Sequence, residues 1–287
     1  MRQILPGILW ISALLAASPA AEEARRLYQR TEYGGALKVL ETAPAAEKNG
    51  PVYDLIGRCY FMQGEFKKAS EAYEKALAAE PANSQYAHWL GKAYGRRAET
   101  SSPFSQLGLA SKTRQAFEKA VQLNPRNAEA MNDLFEFYLQ APGFLGGGLD
   151  KASALAQRIA ALDAAEGHWA QARIAEKRKE SGAVEVQLRR AVEVAPMQVG
   201  RLVDLAKFLA KQGRHQEAEQ TFQQAERVAP DHPRLLFDRA ETYVRSGRNL
   251  EAARALLKQY LSKPLTPEDP SRAQAEKLLK EASRGGA

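Results

Sequence analysis

The sequence predicts an all-α solenoid of stacked helix-turn-helix units, finished by a C-terminal capping helix. Three observations predict it. Pro196, Pro230 and Pro264 recur at a spacing of 34 residues, and Pro81 and Pro125 lie 44 apart, one such period plus ten. Small residues keep the same beat: Val184, Ala218 and Ala252 are each 34 apart. Between the prolines, apolar residues recur at i, i+3, i+4 and i+7, the period of an amphipathic helix. A helix pair cannot cover its own apolar face, so units of this size are stable only when stacked on one another.

Taken from the N-terminus, residues 1–21 (MRQILPGILWISALLAASPAA) carry one charge, Arg2, then an apolar run from Ile4 to Ala17 and a small-residue exit at Ser18 and Ala20. A short basic start, an apolar stretch and a small-residue exit make a secretory signal peptide. Cleavage after Ala20 is expected, with an uncleaved inner-membrane anchor as the alternative. Without Arg2 the net charge falls from +7 to +6, that is 40 cations minus 34 acids.

The mature chain then divides into helix pairs. Residues 22–49 give a degenerate first pair with Leu27, Tyr33, Ala36, Leu40 and Ala43. Residues 50–83 give the clearest one. Tyr53, Ile56, Gly57 and Tyr60 share one face of a first helix, Gly64 turns the chain, and Phe66, Ala69, Tyr73 and Ala76 share one face of a second. Residues 84–127 open with Leu90, Gly91 and Tyr94, close with Phe117, Ala120 and Pro125, and hold about ten extra residues near 95–111. Residues 128–164 carry Leu134, Tyr138, Ala152, Ala156 and Ile159, with a second excess at 141–148. Residues 165–198 keep Ala172, Leu188, Ala191 and Pro196 but place Gln171 and Ala175 at core slots. Residues 199–232 and 233–266 repeat the pattern in phase, with Arg239 a departure. Residues 271–284 form a last helix with Ala273, Leu278 and Leu279 on one side.

This spacing of aromatic, Leu, Gly or Ala, Tyr, Ala, aromatic, Ala and Pro resembles the tetratricopeptide repeat over residues 22–266. The resemblance implies a right-handed superhelix whose concave groove is lined by positions 2, 5, 9, 12 and 13 of the first helices. Carried over, these include Asp54, Arg58, Phe61 and Met62; His88, Lys92 and Arg96; Asn132, Glu136 and Gln140. Further along come Trp169, Arg173 and Lys177; Val203, Lys207 and Lys211; Phe237, Glu241 and Arg245. Cations outnumber acids there, and Lys207 and Lys211 have no acid beside them in their own row, so an anionic or mixed peptide is the expected ligand. The Lys and Asn pair with which the family clamps a peptide carboxylate occurs in no repeat. The two insertions should form loops on one edge of the rod, offering Phe104 and Phe144 to a partner or tucking them away. A Pro-Phe-Ser insert followed by an Ala-Pro-Gly…Gly-Gly loop also resembles a group of exported bacterial repeat proteins.

Other chemistry has little to build with. One cysteine, Cys59, excludes an internal disulfide, and its slot calls for a small packed residue. The four histidines are scattered, and His88 and His168 read as surface residues. Gly146-Gly147-Gly148 lacks the Lys-Ser/Thr of a phosphate loop. The isoelectric point near 9.4 comes with acids interleaved among the bases, against a nucleic-acid partner. The sequence therefore predicts a non-catalytic scaffold in the periplasm or secreted, without cofactor, metal or membrane span in the mature chain. The alternative is a structural subunit of an envelope assembly or secretion complex. The partner is a protein or peptide, met at Arg58, Phe61, His88, Lys92, Arg96, Phe104, Phe144, Trp169, Arg173, Lys207 and Lys211.

Overall fold

The computed structural model describes residues 19–266 and 269–284. Most of the expected signal segment, residues 1–18, lies outside the described residues. Seven consecutive helix pairs follow one another: α1 (Pro19–Gln29) with α2 (Tyr33–Thr42), α3 (Gly50–Met62) with α4 (Phe66–Ala79), α5 (Ser84–Glu99) with α6 (Pro103–Leu123) and α7 (Ala128–Gln140) with α8 (Leu149–Leu162). Then come α9 (Ala164–Lys177) with α10 (Ser181–Val194), α11 (Val199–Lys211) with α12 (His215–Val228) and α13 (Pro233–Ser246) with α14 (Leu250–Leu261). A final helix, α15 (Arg272–Arg284), packs on α13 and α14.

The first helices start where a side chain can take over an unpaired backbone N–H. Asn49, Asn83, Asn127 and Asp163 each accept from the first turn of the helix that follows. The partners approach closely because the repeat puts glycine on the contact face. A Cβ built on Gly57 would lie 2.8 Å from the Tyr73 ring, and one on Gly91 would lie 2.4 Å from Phe117. Tyr73, Trp89, Phe135, Phe222 and Tyr260 are among the side chains fully enclosed between neighbouring helices. Cys59 is buried with them, and burial pushes its thiol up to about 12, which leaves it protonated packing material.

The capping helix faces its neighbours with Ala275, Leu278 and Ala282, while Ala273 is exposed. The expected stripe is thus shifted around the helix, and the Tyr260 hydroxyl donates to the Pro270 carbonyl just before it.

The two insertions differ. The first is no loop: α5 runs on to Glu99 and α6 begins at Pro103, so the extra residues lengthen both helices. Pro103 supports this, since a first-turn proline lacks only an N–H that would be unpaired anyway. Leu109 is buried, while Phe104 is 95% exposed. The second insertion is a loop around a 3-10 turn, Gly143–Leu145, tied back by a Gly148 N–H to Tyr138 carbonyl bond of 2.8 Å. Gly147 packs so tightly on the Ala141 carbonyl that a Cβ would come within 1.8 Å of it. The loop leans on Arg114 of α6.

The superhelix curls until its ends meet. The Tyr33 hydroxyl donates to the Leu265 carbonyl at 3.3 Å across 232 residues. Met62, at the end of α3, packs against the C-terminal cluster containing Leu236, Phe237, Leu265 and Leu278.

Candidate functional site

The first helices α3, α5, α7, α9, α11 and α13 line the concave face, and its two halves are built differently. In the N-terminal half, aromatic rings form the floor and cations lie on them. Phe61 packs edge-on to Phe66 and to Trp89, with centroids 5.3 and 5.5 Å apart. The Lys92 ammonium sits 4.1 Å from the Trp89 ring centre and the Arg58 guanidinium 5.2 Å from it. Arg96 lies 5.1 Å from the Phe66 ring and also bonds Glu99 at 2.6 Å. Arg58 bonds Asp54 at 2.9 Å. Burial raises the Asp54 carboxyl, and Arg58 only partly opposes it.

His88 is not a surface residue. It is fully buried, with Nε2 2.7 Å from Asp133 Oδ2 of α7 and Nδ1 4.0 Å from Glu129. Its position points into the seam between α5 and α7, where Phe117 also touches it. It therefore cannot meet a partner as expected. His168 is half-buried, with Nδ1 2.8 Å from the Gln187 side chain. Val203 and Phe237, two further residues placed in the groove, are buried as well.

In the C-terminal half the cations are interlocked with acids from adjacent repeats. Lys207 reaches Asp238 at 2.8 Å and Glu241 at 3.2 Å, and Lys211 reaches Glu176 at 3.0 Å. The absence of an acid in their own row did not leave them unpaired, because the following repeat supplies Lys207's partners and the preceding repeat supplies Lys211's. Arg173 bonds both Glu136 oxygens, at 2.7 and 3.1 Å. Arg234 bridges Asp204 and Asp238. Arg201 is buried, lies over Trp169 at 5.3 Å, and reaches Glu166 at 3.4 Å. Burial alone would depress the Lys207 ammonium, yet Asp238 and Glu241 outweigh it and raise it. Burial would raise Glu241, but Arg245 and Lys207 lower it. Asp204 is raised by burial despite two arginines.

Two of the pairs are layered: Arg245 is 75% exposed over Glu241 at 19%, and Lys207 is 39% exposed over Asp238 at 12%. At Arg173 with Glu176 and Arg201 with Glu166 the acid is the more exposed partner. Sequence reading missed Asp204, Arg234 and Asp238, and missed Trp89 as the platform for Lys92. The signal for the cross-repeat pairs was a separation near one repeat: Lys207 and Glu241 are 34 residues apart, as are Asn132 and Glu166, which also bond.

A cavity of about 1210 Å³, open to solvent, lies where the ends of the superhelix meet. Its walls come from α3, α5, α7 and α13, from Leu265, and from residues between 269 and 281 that include part of α15. Of the expected site residues it contains Phe61, Lys92 and Arg96. Phe104 and Phe144 stand apart on the outer edge, the latter 79% exposed. Among the described residues there is no cluster of His, Cys, Asp or Glu able to hold a metal ion, and no helix long and apolar enough to cross a membrane.

Stacked helix pairs with a lined concave face define a helical repeat solenoid, a class of interaction scaffold. Models of the tetratricopeptide repeat match residues 51–83 and 203–282. Those two stretches are tetratricopeptide repeats (TPR), and the helix pairs between them continue the same fold. Two solved structures share the fold. A thermophilic TPR protein of Thermus thermophilus is 22% identical, covering 68% of this chain and 99% of its own, with a TM-score of 0.52. A tetratricopeptide repeat protein from Parabacteroides merdae is 16% identical, covering 92% of this chain and 97% of its own, with a TM-score of 0.58. At these identities the likeness is one of fold. A search of curated proteins returns no match.

Proposed function

We propose that this chain is a non-catalytic scaffold acting outside the cytoplasm, which holds a protein or peptide against its concave face. The observation that carries the reading is that the face's charged groups are already held in place by stacking, over aromatic rings in one half and by partners from neighbouring repeats in the other. A pre-formed surface of this kind spares a partner most of the ordering cost on its receptor's side. Placement outside the cytoplasm is supported by the basic start, apolar run and small-residue exit of residues 1–20.

A second reading, a structural subunit of an envelope assembly, is favoured by one feature. Phe104 and Phe144 are large apolar side chains left in water on one edge of the rod. Permanent contacts are larger and more apolar than transient ones.

In-cell photo-crosslinking separates the two. A crosslinker replaces Lys207 in the groove, Phe144 on the edge, or Val194 on a second helix as a control. The scaffold reading expects one dominant protein adduct from Lys207 and none from Val194. A dominant adduct from Phe144 alone makes the edge the functional surface. Equal faint adducts from all three positions would remove both readings.

A further inference from the structure

The hairpin of α5 and α6 stands out of the stack. α6 has 21 residues where α4 and α8 have 14 each. The extra length lies at its start. Phe117 meets Gly91 as Tyr73 meets Gly57, but it lies 14 residues into its helix instead of 7. At 1.5 Å per residue the tip therefore projects by about 10 Å. Residues 102–108 are exposed without a break, and a Cβ on Gly108 would meet nothing within 4 Å. Phe104 is 95% and Leu107 51% exposed, three residues apart and so on one face of the helix.

From Thr100 to Ser111 the chain carries no charge. Behind this neutral tip the hairpin is basic. Arg96 is paired with Glu99, and Arg114 with Glu118. Arg97 instead donates to the Ser70 hydroxyl at 2.9 Å, and the Lys112 ammonium lies 5.3 Å from the Tyr94 ring centre. Glu74, on α4, accepts from the Tyr94 hydroxyl at 2.5 Å. Two cations of the hairpin thus rest on neutral groups.

Apolar patches that serve a protein partner run to about 300–600 Å², and two side chains on a convex tip do not make one. A bilayer needs no such patch, because lipids rearrange around an inserted side chain. Peripheral contacts reach about 5–10 Å into the headgroup–acyl boundary, close to the length by which the tip projects. Lys112 follows Phe104 by eight residues, about 12 Å along the helix, which sets its charge at the level of the lipid phosphates. On the export reading, the apolar run from Ile4 to Ala17 also brings the chain to a membrane. Phe144 does not share the tip. Its loop meets α6 at Arg114, about 15 Å behind Phe104 along the helix.

We infer that the tip of the α5–α6 hairpin docks this chain on an anionic lipid surface. Phe104 and Leu107 enter the headgroup–acyl boundary, and Arg97 and Lys112 meet the phosphates behind them. The contact is peripheral, since among the described residues no helix is long and apolar enough to cross a membrane. It goes beyond the scaffold reading, which concerns the groove and is tested at Lys207.

The test uses the full chain with an environment-sensitive fluorophore at Phe104→Cys or, separately, at Phe144→Cys. Buried Cys59 does not take the label. Vesicles are phosphatidylglycerol and phosphatidylcholine in equal parts, or phosphatidylcholine alone, with nitroxide on the acyl chains as quencher. Residues 1–20 are common to both labelled chains, so any pull they exert is shared. The label at 104 should brighten and be quenched with the anionic vesicles, while the label at 144 stays in water. In the chain labelled at 104, Leu107→Ser and Lys112→Glu should each raise the lipid needed for half the response about tenfold. Lys258→Glu, on α14, should leave it within about twofold. Circular dichroism confirms that each variant is folded. No quenching at 104, equal quenching at both positions, or an equal response to phosphatidylcholine alone overturns the proposal. So does an equal shift from Lys112→Glu and Lys258→Glu. A crosslinker at Phe104 that captures one dominant protein, without lipid quenching there, also overturns it and gives the tip to a protein partner.

Discussion

The two halves of the concave face occupy the same repeat positions and use them for different physics. Around α3 and α5, cations rest on a floor of Phe61, Phe66 and Trp89. Around α9, α11 and α13, cations are tied to carboxylates one repeat away. Arg58 and Arg96 also have acids within their own helices, Asp54 and Glu99, so the halves differ in reach: pairs in the first stay local, while those in the second join one repeat to the next. The lesson is that counting cations along a groove says little about its potential. What each cation stands on decides it.

The largest effect that would sharpen this contrast is at the tryptophans. Trp89 is fully buried beneath Lys92, whereas Trp169 is half-buried beneath Arg201. Trp89→Ala should cost about 3–5 kcal/mol of stability, and Trp169→Ala clearly less, as measured by denaturant unfolding. Equal losses would mean that the aromatic floor is no more central than the ladder.

Next come the glycine contacts. Gly57→Leu pushes a side chain into the Tyr73 ring and should cost about 1–3 kcal/mol. An unchanged melting temperature would contradict the packing described for α3 and α4.

The ladder should give a smaller, salt-sensitive effect. Lys207→Met leaves Asp238 and Glu241 without their shared cation and should cost about 1–2 kcal/mol at low salt. The difference should shrink in high salt, whereas the Trp89→Ala loss should not.

Acid should act on the ladder through the same groups. Glu176 and Glu241 are held below the usual carboxylate range, Glu176 by Lys211 and Arg173, and Glu241 by Arg245 and Lys207, each against an opposing burial effect. A carboxyl with a lowered folded pKa contributes stability that is complete above its unfolded value, about 4.3, and is lost as pH falls through the folded value. Melting temperature should therefore drop below about pH 4.5, and Glu241→Gln should flatten that part of the curve. Parallel curves for wild type and variant would show that the ladder is not what acid attacks.

The smallest expected effect is on the edge. Phe144→Ser removes an exposed ring and should change stability by under about 0.5 kcal/mol.

Much of the fold was legible in the sequence because each repeat needs Gly, Ala, an aromatic and Pro at fixed slots, and sterics allow few substitutes. Gly57 and Tyr73 meet as the spacing required. The site was legible only in part. His88 was misplaced because a first-helix residue lies toward the groove or into the next seam depending on a few degrees of rotation, which the period does not fix. Lys207 was judged against its own row, although in a solenoid the neighbouring row is about one repeat away, at Asp238 and Glu241. The 95–111 insertion was expected to loop out, yet its residues up to Glu99 and from Pro103 onward propagate the flanking helices. Closure of the ends depends on the summed curvature of seven pairs, which no local pattern encodes.

That closure forms the cavity between the ends of the superhelix, and a spin-label distance measurement tests it directly. Labels at Gln63→Cys on the α3 side and Lys277→Cys on α15 face the same cavity, and buried Cys59 does not compete for the label. The account predicts a single short, narrow distance distribution that broadens when Leu265→Asp disrupts the contact with Met62. A long or broad distribution in the unaltered clasp would show that the superhelix stays open and that α15 is no wall of the groove.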